Sequence, residues 1–190
     1  ESYRINLIID IQNCIKAQES KGYEHWSKIY NLKQAAKTLN FLTKNNLTTY
    51  EDLEAAANKI HSDFDDTAQK IKAVEKTIGE NAILIKQLEI YRQYRPIYLK
   101  LQKVKNKEGF TQKFQRELIL YEAAERNLKG KNPPPLETLI KDNGDLSARK
   151  AKLYEEYKKL KSKAAEIEVI RSNVDTLLNR PRERNPEIEK

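Results

Sequence analysis

Methionine is absent from this sequence altogether, and cysteine occurs once, at Cys14. Without a starting methionine, the chain is expected to be a processed protein or an excised fragment, and a catalytic domain can lie outside it. A lone cysteine cannot close an internal disulfide. Cys14 falls among Ile8, Ile11 and Ile15 at helical spacing, where it reads as a small buried hydrophobe; a reducing, cytoplasmic setting fits. Histidine occurs only at His25 and His61, with no H-x-H, no H-E-x-x-H and no cysteine cluster. A metal centre would have to be built from one histidine and carboxylates, so neither a metal nor another cofactor is expected. A glycine-rich phosphate loop and a nucleophile elbow are missing too. No apolar run approaches the length of about 18 residues that spans a bilayer, so no membrane insertion is expected. The opening ESYRINLIIDIQ lacks the charged region and continuous apolar core of a signal peptide.

What remains is 38% hydrophobic and 34% charged, with only five glycines and six prolines. Rich in Lys, Glu, Leu and Ala, and poor in Val and in alternating runs, it calls for long helices rather than sheets. The expected fold class is all-α, a helical bundle with a long antiparallel coiled coil. Residues 3–20 place Leu7, Ile8, Ile11, Cys14 and Ile15 on one helical face, and Gly22 is expected to end that helix. A second helix, about 24–45, carries the stripe Leu32, Ala35, Ala36, Leu39, Leu42. TYED then forms a capping box, with Thr49 as N-cap and Asp52 three residues on. From there Leu53, Ala57, Ile60, Phe64, Thr67, Ile71, Val74, Ile78, Asn81, Ile85 and Leu88 alternate at four and three residues. That 3.5-residue repeat marks a coiled coil. Asn81 is either a register-setting polar residue in the seam or an exposed one.

Pro96 is expected to kink or restart this helix. Asn106 and Gly109 read as a turn, with Phe110, Phe114, Leu118, Tyr121 and Leu128 defining the helix that follows. GKNPPP at 130–135 is a hard break. A short helix over 136–141 is expected to stop at Asn143-Gly144. Leu146, Leu153, Leu160, Ile167 and Val174 then recur every seven residues, with Tyr157, Ala164 and Leu178 as the second seam. The natural partner of this last helix is the helix that starts near residue 50, within one chain or between two, and a homodimer through the coiled coil is one expectation. The organisation is therefore a helical hairpin over 1–48, a long helix plus a basic, aromatic segment over 49–130, a proline-rich linker and returning helix over 131–179, and a fraying tail over 180–190.

Carboxylates are unevenly distributed. Residues 91–107, YRQYRPIYLKLQKVKNK, contain Arg92, Arg95, Lys100, Lys103, Lys105 and Lys107, with Tyr91, Tyr94 and Tyr98 and no acid. Between His25 and Tyr50 there is again no Asp or Glu, and Lys33, Lys37 and Lys44 stack along one side of a helix. In a chain of formal net charge +8, two such flanks suit an anionic partner. Cations with interleaved aromatics suit a phosphate backbone with stacked bases; the same pattern also fits a solvated helix face with tyrosines packed beneath it. Charge alone does not separate DNA from RNA, lipid head groups or an acidic protein. The paired carboxylates Asp65-Asp66 and Glu155-Glu156 read as solvated charge, and the ten tyrosines, lacking a nearby base or metal, as packing and stacking residues.

The stretch 22–42, GYEHWSKIYNLKQAAKTLNFL, resembles a segment of relaxases, the mobilisation nucleases of conjugative and mobilisable elements in Gram-positive bacteria. The resemblance continues through LTTYEDLE (47–54), RPIYLKLQKVKNKEGF (95–110) and ELILYEAAERNLK (117–129). It covers roughly residues 3–130 and carries no catalytic signature; the strings look like the region downstream of the nuclease domain. Family relaxases nick one strand at the origin of transfer with a tyrosine and a histidine-bound metal. Those motifs are absent, so no catalytic residue carries over and this chain is not expected to be an enzyme, whereas its parent is expected to nick DNA. The resemblance implies a C-terminal accessory role: binding single- or double-stranded DNA near the origin of transfer, or docking a relaxosome protein or the coupling ATPase. A purely structural coiled-coil module and an RNA-binding helical arm are the alternatives.

Overall fold

A computed structural model of the chain describes residues 6–20 and 25–178, and the side chains of 6–17 and 32–178. The fold is all-α. The helices are α1 (Leu7–Ser20), α2 (His25–Lys44), α3 (Tyr50–Lys103), α4 (Lys107–Lys113), α5 (Gln115–Leu128) and α6 (Leu136–Leu177), with no strand among the described residues. The ends expected at Gly22 and over 180–190 lie outside the described residues.

The chain forms two compact units, residues 1–67 with 156–190 and residues 68–155. In the first, one apolar cluster joins four helices: Leu7 and Ile11 of α1, Ala35 and Leu42 of α2, Leu53 and Ala57 of α3, and Ile167, Ile170 and Val174 of α6. Each burial follows from the helical period, with apolar residues three or four apart turned to one side. On α2, Ala36 is exposed and Thr38 is buried in its place. The Thr38 hydroxyl donates to the Gln34 carbonyl at 2.8 Å and accepts from Asn173 Nδ2 at 3.1 Å, so its burial leaves no bond unmade. Cys14 is only half-buried, and its thiol reaches the Leu177 carbonyl at 3.5 Å. Burial pushes that thiol up from its ordinary value, with Asp10 adding to the effect.

Polar contacts fix the antiparallel sense of α3 and α6 in this unit. Arg171 holds both carboxylate oxygens of Glu54, at 2.8 and 3.0 Å, and also reaches Glu168 at 2.9 Å. Glu168 in turn meets His61 Nε2 at 2.9 Å. Partial burial works to raise the Glu168 carboxyl, but bonds from His61 and Arg171 prevail and hold it below the usual carboxylate range. Phe64 stacks on Tyr157 with ring centroids 4.7 Å apart. Burial and the bond to Asp175, at 3.0 Å, push the Tyr50 hydroxyl up to about 12. The start of α3 is capped as its sequence requires: Thr49 Oγ1 accepts from the Asp52 amide at 3.1 Å, and Asp52 accepts from the Thr49 amide at 3.0 Å.

In the second unit α3 and α6 again run antiparallel, with Lys150 on Glu75 at 2.8 Å and Asn143 Nδ2 on the Ile78 carbonyl at 3.4 Å. Asn81 is half-buried and lines an open groove of about 560 Å³ with Thr77, Leu84, Leu139 and Leu146. The expected interruptions differ from the observed ones. α3 does not restart at Pro96 but stays helical to Lys103, for 54 residues. Pro96 is exposed, so water can serve the Arg92 carbonyl that the missing N–H would have satisfied, while Tyr94, Ile97, Tyr98 and Leu101 keep one side partly buried through the same turns. Likewise α6 passes Gly144 without stopping. Burying Leu139 before it and half-burying Leu146 after it offsets the ~1 kcal/mol that glycine costs inside a helix. Gly109 lies inside α4, whose N-cap Asn106 accepts from the Gly109 amide at 2.9 Å. The helix expected over 110–128 is divided at Phe114, whose φ of −117° and ψ of 29° leave the helical region. The proline-rich break holds over 129–135, inside the second unit.

Candidate nucleic-acid interface

The acid-free window 91–107 occupies the C-terminal turns of α3 and the residues after it. At 3.6 residues per turn, Arg92, Arg95, Lys100 and Lys103 fall within an arc of about 140°. All four are exposed, as is Lys105 just beyond the helix. Tyr91, Tyr94 and Tyr98 point more than about 100° away from the centre of that arc, and all three are half-buried. The alternation of Arg or Lys with Tyr in the sequence thus separates into a cationic face and an aromatic face.

The aromatic face is occupied from within. Tyr121, on α5, is 2% exposed. Its ring stacks on Tyr91 at 5.1 Å and on Tyr98 at 4.5 Å between centroids. Burial first, and the neighbouring hydroxyl of Tyr91 second, push the Tyr121 phenol well above its ordinary value. These rings close the second unit where α5 crosses α3, and nothing in the sequence between Tyr98 and Tyr121 marks them as partners. Of the three tyrosines, Tyr94 has no such ring contact.

The cationic face carries little counter-charge. Arg92 Nη1 meets Glu137 Oε1, at the start of α6, at 2.9 Å, with the two side chains 71% and 72% exposed. The backbone N–H at the helix start, and then Arg92, hold the Glu137 carboxyl below its usual range. The Arg95 guanidinium lies over the Tyr91 ring at 5.9 Å, within reach of a cation–π attraction. Lys100, Lys103 and Lys105 meet no carboxylate at ion-pair distance among the described residues. Lys33, Lys37 and Lys44 share one exposed side of α2 in the other unit. The predicted cations therefore form two sets, one in each compact unit.

Among the described residues no three His, Cys, Asp or Glu side chains gather closely enough to hold a metal ion. None of their helices is long and apolar enough to cross a membrane. Comparison with known proteins adds no family: no family model, curated protein or solved structure matches the chain.

Proposed function

We propose that this chain is a non-catalytic helical module of a DNA-mobilising relaxase, and that it binds DNA near the origin of transfer through the end of α3, in the cytoplasm. The observation that carries the reading is the exposed, acid-free arc of Arg92, Arg95, Lys100 and Lys103, extended by Lys105. A helix segment with no carboxylate of its own, in a chain where Glu elsewhere balances Lys, suits a polyanion. The resemblance of residues 3–130 to relaxases supplies the kind of polyanion. The α2 set, Lys33, Lys37 and Lys44, is a second and independent contact.

Two charge-reversed variants test this. One carries Arg92→Glu, Arg95→Glu, Lys100→Glu and Lys103→Glu; the other carries Lys33→Glu, Lys37→Glu and Lys44→Glu. With circular dichroism confirming the helices, binding of labelled oligonucleotides should fall at least tenfold for the first and by less for the second. Unchanged binding in both folded variants favours the other reading, a protein–protein module. Its support is a set of exposed apolar side chains in the second unit, Ile83, Ile119 and Ile140, at 63%, 56% and 50% exposure.

A further inference from the structure

Resting on that reading, we infer that the α3 face takes duplex DNA by its phosphate backbone alone and does not stack bases. Sequence-tolerant binding of single strands relies on aromatic side chains offered beside a basic groove. Here two of the three tyrosines in the window are spent inside the protein: Tyr91 and Tyr98 are stacked on Tyr121, which is 2% exposed. The helical period turns all three more than about a quarter turn from the centre of the cationic arc, and Tyr91 and Tyr98 lie closest to its Arg95 edge. A strand whose phosphates lie on Arg92, Lys100 and Lys103 keeps its bases off the tyrosines, and at the Arg95 edge the nearest ring, Tyr91, is already stacked on Tyr121.

Spacing and charge fit a duplex. Arg92 to Lys103 spans about 16 Å at 1.5 Å per residue, the rise of about five phosphates on one strand. A duplex presents one charge per about 1.7 Å of axis, twice the density of either strand alone, so a rigid row of cations gains more from it. Within the arc the residues are lysines, arginines, Pro96 and the exposed Leu99; the exposed Gln93 and Gln102 stand just outside its two edges. Cations that meet phosphates grip a duplex without reading its sequence. Glu137 competes for this face. An exposed ion pair is weak enough that a phosphate can take Arg92 from this carboxylate.

The test uses the whole chain and three probes of equal length: a mixed-sequence duplex, one of its strands, and that strand made abasic. Affinity is measured across a salt series. The duplex should bind several-fold more tightly than the strand, with a log–log slope of about −0.9 per contacted phosphate. The abasic and normal strands should bind equally. Glu137→Gln should raise duplex affinity by roughly two- to fivefold, the size of an exposed ion pair. A preference for the single strand, or a clear loss on removing its bases, overturns the phosphate-only inference and leaves DNA binding standing. Binding to none of the three probes overturns both.

Discussion

At the residue scale, single side chains differ widely in how much they hold. Ile170 is fully buried in the first unit, whereas Leu160, at a heptad position of the same helix, is half-buried. Ile170→Ala removes methylenes from a closed cluster and should cost about 2–5 kcal/mol; Leu160→Ala should cost clearly less, and denaturant unfolding of the two variants checks the order. A larger loss for Leu160 would mean that α6 buries a different face. Asp52 gives a pH prediction. Bonds from the Thr49 side chain and amide, joined by those of Thr48, hold its carboxyl below the ordinary value. A carboxyl depressed on folding adds stability above the unfolded-state value, about 3.9, and loses it as pH falls through the lower folded value. Asp52→Ala should therefore lower Tm at pH 7 and make little difference near pH 2. An equal deficit at both pH values would show that the cap does not act through the charge. The cap was legible because its residues are adjacent in sequence. Tyr121 as the ring between Tyr91 and Tyr98 was not, since that contact depends on where α5 returns against α3.

At the element scale, local propensity and packing disagree at two places, and packing prevails. Pro96 and Gly144 carry strong stop signals, yet α3 and α6 continue through them. The heptads were legible because burial repeats every seven residues along both helices; the strength of that burial relative to a single breaker is a sum over neighbours that no local window contains. Pro96→Ala restores the missing donor at an exposed position and should raise stability by up to ~3 kcal/mol. Gly79 and Gly144 are exposed within helices, and a Cβ at either meets nothing within 4 Å. Gly79→Ala and Gly144→Ala should each stabilise by about 0.5–1 kcal/mol. Gly130, with φ +77°, differs: Gly130→Ala is strained in the left-handed region and should destabilise. Thermal melts of the four variants decide. A loss at Gly144 would argue that α6 bends or breaks there.

At the scale of the whole molecule, the all-α class and the antiparallel pairing of the two long helices followed from composition and period, and the pairing is made within one chain. The cationic residues were legible too, because a missing charge sign is visible in any window. Their division into two windows was legible as well; the turning of Tyr91 and Tyr98 into the second unit was not, because it depends on where Tyr121 is placed. The proposed function rests on the α3 face, and its electrostatic signature separates it from a merely soluble surface. Each lysine or arginine that neutralises a phosphate of a duplex steepens the log–log dependence of affinity on salt by about 0.9. The most direct measurement is therefore the salt slope of duplex binding for the parent chain and for the folded variant with Arg92, Arg95, Lys100 and Lys103 all changed to Glu. The account predicts a slope shallower by about 3 to 4 in the variant, with affinity lost at every salt concentration. Identical slopes and affinities for the two proteins would contradict it.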